Sequence, residues 1–170
     1  LASSPNGISY ITSIQRLDHL VNTHYLEVPP KVIQELGGTL KVRLLCTISN
    51  KLTFQCGLVA LGNGSGYLTL TKKRMQDLGL THQDQVEVTL EKDYSTYGTP
   101  MPEELAEVLL QDPEGAARFH LLKDGMKRYV LKYVAGVKSS QLRIDRALLL
   151  VTNLKRLHPG KETFKELVAK

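Results

Sequence analysis

Between Arg118 and Lys161 only Asp124 and Asp145 oppose a succession of lysines and arginines. Helical spacing sets Lys123 with Lys127 and Arg128 with Lys132 on neighbouring stripes, and Tyr129 and Tyr133 stand four apart between them. Cations in this arrangement can neutralise phosphate or another acidic group, while the tyrosine rings offer a surface for stacking. The candidate residues for an anionic ligand or partner are therefore Lys127, Arg128, Lys132, Arg143, Arg146, Tyr129 and Tyr133. A solvated helix face would carry the same pattern, because Lys and Arg are mostly exposed anyway and "RYVLKYV" needs an apolar stripe to pack on the first domain. The charge is uneven along the chain. Residues 1–99 hold 9 Lys+Arg against 8 Asp+Glu, residues 100–170 hold 13 against 9, and the whole chain carries +5.

No residue set of a known catalytic kind stands out. Glu91 and Asp93 in "LEKDYSTYG" sit two apart at a strand end, where carboxylates face water, and no Ser/His/Asp or Cys/His set can be picked out by order alone. "GNGSG" lacks the Gly-Lys-Ser/Thr ending of a phosphate loop and precedes a strand, so it reads as a connecting turn. His19, His24, His82, His120 and His158 are scattered singly, without an i, i+4 pair, so neither metal nor cofactor is expected. Cys46 and Cys56 fall on the two strands of a hairpin turning at Asn50-Lys51, nearly opposite each other. The expectation is reduced, buried thiols.

The elements that must position these residues change character along the chain. The stretch "YLEVPPKVIQELG", from Tyr25, is answered by "YLTLTKKRMQDLG", from Tyr67, without a gap. Each copy reads as a strand, a helical turn opened by Pro29-Pro30 or capped by Thr71, a glycine stop, and a second strand. One such unit cannot cover its own apolar face, so the two copies are expected to pack about a pseudo-twofold axis into one barrel. Both halves lie in one chain, and a monomer follows. After Thr99-Pro100-Met101-Pro102 the apolar period changes from two to about 3.6, giving helices over "EELAEVLLQD", "EGAARFHLL", "MKRYVLKYVAGV" and "QLRIDRALLLVTNLKRL". The breaks fall at Lys123-Asp124-Gly125 and His158-Pro159-Gly160, and a last short helix, "KETFKELVA", is expected to dock weakly. The fold class is α+β: a double-split β-barrel from an internal duplication over 1–98, then a small α-helical domain over 99–170.

No apolar run approaches the roughly 20 residues that span a bilayer, and "LASSPNGISY" lacks the basic start and apolar centre of a signal peptide. A cytoplasmic protein that does not engage membranes is the expectation. The second copy, "LTKKRMQDLGLTHQDQVEV", resembles the swapped-hairpin module of the AbrB/MazE-like family, in which hairpins interleave to complete a barrel. More widely, "HYLEVPPKV", "KVRLLCTISNKLTFQCGLV", "PEELAEVLLQDPEGAARFHLL", "RYVLKYVAGVK" and "LRIDRAL" are similar to bacterial proteins that join a barrel of unknown function to a YdeI/OmpD-associated helical domain of the bacteriocin-protection family. The resemblance brings no catalytic residues. The charge asymmetry together with the absence of a catalytic motif gives the expectation of a non-enzymatic binding or stress-protection protein that engages an acidic ligand or partner, and the AbrB-like likeness implies a nucleic-acid-binding regulator as the alternative.

Overall fold

A computed structural model describes residues 7–20 and 23–170. The chain divides into two compact units, Leu1–Tyr94 and Ser95–Lys170.

The first unit is an antiparallel sheet with two short helices. Its strands are β1 (Ile8–Arg16), β2 (His24–Val28), β3 (Arg43–Ile48), β4 (Leu52–Gly57), β5 (Val59–Gly62), β6 (Ser65–Leu70) and β7 (Gln85–Lys92), in the spatial order β4-β3-β7-β1-β2-β6-β5. The edge strands β4 and β5 are consecutive in the chain, with only Leu58 between them, so the sheet must curl until its edges approach. Alternation decides the inner face. Leu44, Cys46 and Ile48 of β3 and Val86, Val88 and Leu90 of β7 are buried, and they join Ile14, Leu26 and Leu68 in one core. Ser49 and Asn50, both at positive φ, turn the β3–β4 hairpin, and Asn63-Gly64, with φ of 51° and 79°, turn β5 into β6.

The helices follow β2 and β6. Helix α1 (Pro30–Glu35) begins with proline at its first position, where the missing N–H costs nothing. Helix α2 (Lys72–Leu78) is capped by the Thr71 hydroxyl, which accepts from the Arg74 amide at 3.3 Å, and ends at Gly79 in the left-handed region. The two stops match in detail: the Gly38 amide donates to the Ile33 carbonyl and the Leu80 amide to the Met75 carbonyl, each at 2.9 Å. The strand registers match as well. Leu26 of β2 pairs with Leu68 of β6, and Thr47 of β3 with Thr89 of β7, each a step of 42 in sequence. The Tyr25 and Tyr67 rings lie 5.3 Å apart.

The second unit is helical: α3 (Glu103–Gln111), α4 (Pro113–Leu121), α5 (Asp124–Ala135), α6 (Ser140–Arg156) and α7 (Phe164–Leu167). Leu105, Phe119, Val130, Leu131, Val134, Ala147, Leu150 and Leu154 form its core, so the apolar stripe of α5 is covered within the helical unit itself. Asp112 serves three neighbours. It closes α3, caps α4 by accepting from the Gly115 amide at 2.8 Å, and receives Lys155 at 2.6 Å. The helix break read at Lys123-Asp124-Gly125 falls at Leu122-Lys123, and Asp124 and Gly125 already form the first turn of α5, where an aspartate suits the positive end of the helix dipole. Helix α7 is held more firmly than its sequence promised. Leu167 is fully buried, the buried Asn153 amide donates to the carbonyls of Leu167 and Ala169, and Arg118 pairs with Glu162 at 3.1 Å.

Candidate anion-binding face and a two-histidine pocket

Helix α5 presents the cations, and α6 decides which of them remain available. Arg146 donates to the Tyr133 carbonyl at 2.6 Å with its guanidinium 4.4 Å from the Tyr133 ring centre, and Arg143 donates through Nε to the Val137 carbonyl at 2.8 Å. The Tyr133 carbonyl lies in the last turn of α5, where cations are favoured, and Val137 follows the Gly136 cap of that helix. Arg143 also faces Glu104 at 3.7 Å. The Glu104 carboxyl is held below its ordinary range by its own backbone amide, by the Ser140 hydroxyl and by Arg143. Lys127 lies 3.8 Å from Asp124.

The seven residues read from the sequence therefore separate into two groups. Arg143, Arg146 and Tyr133 brace α5 against α6, and Tyr133 also meets the Phe164 ring edge-on at 5.8 Å. Arg128, Lys132 and Tyr129 have no carboxylate partner among the described residues, Lys132 is exposed, and Tyr129 is 64% exposed beside Phe164. Lys127 stands between the groups, drawn toward Asp124 along its own helix.

A pocket of about 270 Å³ opens in the first unit beside α2. His24 enters it from β2 and His82 from the turn before β7, with ring centres 6.0 Å apart and planes inclined at 55°. Met75 and Leu80 supply apolar wall, and Lys72, Gln76 and Thr81 supply polar groups. The Nδ1 atom of His24 is buried and has no hydrogen-bond partner among the described residues. Sequence reading missed this pair because helical spacing says nothing about residues joined through β2, β6 and α2. A second groove, of about 450 Å³ in the helical unit, sets Glu103, Glu104 and Glu107 beside Val108, Ile144 and Leu148. Its charge is opposite to that of α5.

The cysteines are free, and their register differs from the sequence expectation. Cys46 pairs with Phe54 and Cys56 with Leu44, which makes the thiols diagonal neighbours rather than opposite partners. A hydrogen bond to Cys56 and burial push the Cys46 thiol above its usual range, while the same bond, helped by Arg74 stacked 3.8 Å over the Phe54 ring, draws the Cys56 thiol below its own. Among the described residues no three His, Cys, Asp or Glu side chains gather as a metal set, and no helix is long and apolar enough to cross a membrane.

A curled antiparallel sheet followed by a helical unit with a cationic helix defines a two-domain α+β protein. Residues 12–90 match the family described as a domain of unknown function, DUF1905, and residues 99–156 match the family described as bacteriocin-protection, YdeI or OmpD-associated. The chain thus joins a DUF1905 domain to a YdeI/OmpD-associated domain, in this order. No curated protein matches it.

Proposed function

We propose that the protein is a non-enzymatic binding protein, of stress- or bacteriocin-protection type, whose helical unit takes an acidic ligand or partner on the α5 face. The observation that carries this reading is the set Arg128, Lys132 and Tyr129: two cations without a carboxylate partner among the described residues flank a tyrosine that stays 64% exposed. Lys127 adds charge beside them, while Arg143, Arg146 and Tyr133 hold the helix that presents them. The family description that includes bacteriocin protection agrees with a binding role.

The same reading gives the first unit a scaffolding origin. Its sheet is an internal duplication of AbrB-like swapped hairpins, supported by the shared step of 42 at Leu26–Leu68 and Thr47–Thr89 and by the matched glycine stops. Two halves in one chain leave no need for a second chain to complete the sheet, so the protein works as a monomer with pseudo-twofold symmetry.

The test uses polyglutamate, inorganic polyphosphate and a DNA duplex as probes, followed by fluorescence anisotropy over a salt series. Polyglutamate or polyphosphate should bind the full chain, and Arg128→Glu/Lys132→Glu should weaken that binding at least tenfold without moving the thermal midpoint. No binding of any probe at low salt overturns the reading. Binding confined to DNA, with log affinity falling linearly in log salt, replaces it with the nucleic-acid alternative.

A further inference from the structure

The two-histidine pocket occupies a place that the other half of the sheet fills. A step of 42 relates Gly66 to His24, Ile33 to Met75 and Leu40 to His82, the same step that relates the paired Leu26 and Leu68. Around Gly66 the packing is close: a Cβ placed there would lie 2.9 Å from Leu40 Cδ2 and 3.4 Å from Ile33 Cδ1. The missing side chain is what admits Leu40. At the corresponding place near α2, a histidine stands where the glycine was and a second histidine stands where the leucine was. The result is a cavity of about 270 Å³ instead of a plug.

Packing alone does not account for this substitution. A core that needed filling would keep an aliphatic side chain, since burying imidazole nitrogens without partners costs free energy. His24 carries that cost visibly, because its Nδ1 is buried without a partner among the described residues. The polar side chains around the cavity are Lys72, Gln76, Thr81 and the two histidines; the Thr81 hydroxyl donates to Asp84 at 3.2 Å, which leaves Lys72, Gln76 and the histidines as donors for a ligand, and among the described residues no carboxylate lines the cavity. Two imidazole rings with centres 6.0 Å apart leave room for one oxygen to accept from both. A volume of this size exceeds that of a single ion and suits a small molecule, whose carbon skeleton would rest on Met75 and Leu80.

We propose that His24 and His82 form a binding site for a small oxyanion-bearing ligand, a carboxylate or a phosphate monoester with a short apolar group. Lys72 steers the charge and Met75 with Leu80 select the apolar part. The site lies wholly within the first unit, so it is independent of the α5 face.

The experiment is NMR of the histidine ring nitrogens in the full chain, titrated separately with phenyl phosphate, benzoate, inorganic phosphate, phenol and zinc chloride. Phenyl phosphate or benzoate should shift the His24 and His82 signals saturably, and phenol should leave them in place. Phenyl phosphate binding tighter than inorganic phosphate identifies the apolar wall as part of the site. The double variant His24→Gly/His82→Leu installs the residues of the packed half and should weaken binding at least tenfold. If that variant does not fold, Lys72→Ala is the second arm, with a several-fold loss expected. The proposal is overturned if no oxyanion shifts either ring, if binding survives unchanged in the variants, or if zinc alone binds.

Discussion

One half of the curled sheet is plugged and the other is open. Around α1 the side chains of Ile33 and Leu40 close over Gly66; around α2 Met75, His82 and His24 leave a cavity. Backbone hydrogen bonds at the two helix stops are alike, and Leu26 and Leu68 sit fully buried against each other in the same register. Three side chains, rather than a change of fold, make the difference. The same backbone frame therefore packs tightly around α1 and leaves a cavity around α2.

That contrast can be broken at its centre first. Leu26→Ala and Leu68→Ala should each cost about 2–5 kcal/mol in urea unfolding, because each removes a fully buried side chain. Costs that differ by more than about 1 kcal/mol would mean that the two halves do not share the core equally. Next comes the plugged side. Gly66→Ala should cost about 1–3 kcal/mol, since the new methyl meets Leu40, the Val59 carbonyl and Ile33, and Leu40→Ala in the same chain should recover part of the loss. His24→Ala, at the corresponding open position, should cost less than Gly66→Ala. The reverse order would deny that the two environments differ.

The helix starts give a smaller effect. Thr71→Ala should cost about 1 kcal/mol by removing the cap of α2, whereas Pro29→Ala on the other half removes no side-chain cap, and the loss there should be smaller. Least of all is the exposed Lys73–Asp77 pair at 3.0 Å. Lys73→Ala should leave the unfolding midpoint within error, as surface pairs of this kind contribute little.

Acid titration separates the units themselves. Asp112 in the helical unit is held below the usual carboxylate range by the hydrogen bond from Lys155 and by the Gly115 amide. A depressed folded-state value means that its contribution is present above the unfolded carboxylate range, near pH 4, and is lost as pH falls through the lower folded value. Asp112→Asn should flatten the acid limb of unfolding followed by helix signal. An unchanged limb would place the acid sensitivity elsewhere.

The sequence by itself determined the strands of the hairpin, the proline and threonine helix starts, the glycine stops and the passage from alternating to helical periodicity. These are local matters: φ preferences, hydroxyl caps and apolar period act over a few residues and leave their mark in residue order. It also marked α5 as cationic, since charge is additive along a helix. Tertiary structure alone decided which of those cations stay available, because Arg143 and Arg146 find their carbonyl partners only when α6 lies beside the end of α5. It decided that the cysteines are diagonal, since a strand register is set by pairing and not by spacing. It brought His24 to His82 and sealed α7 with Asn153 for the same reason: contacts between distant segments depend on how whole elements pack, and no short stretch of residues encodes them.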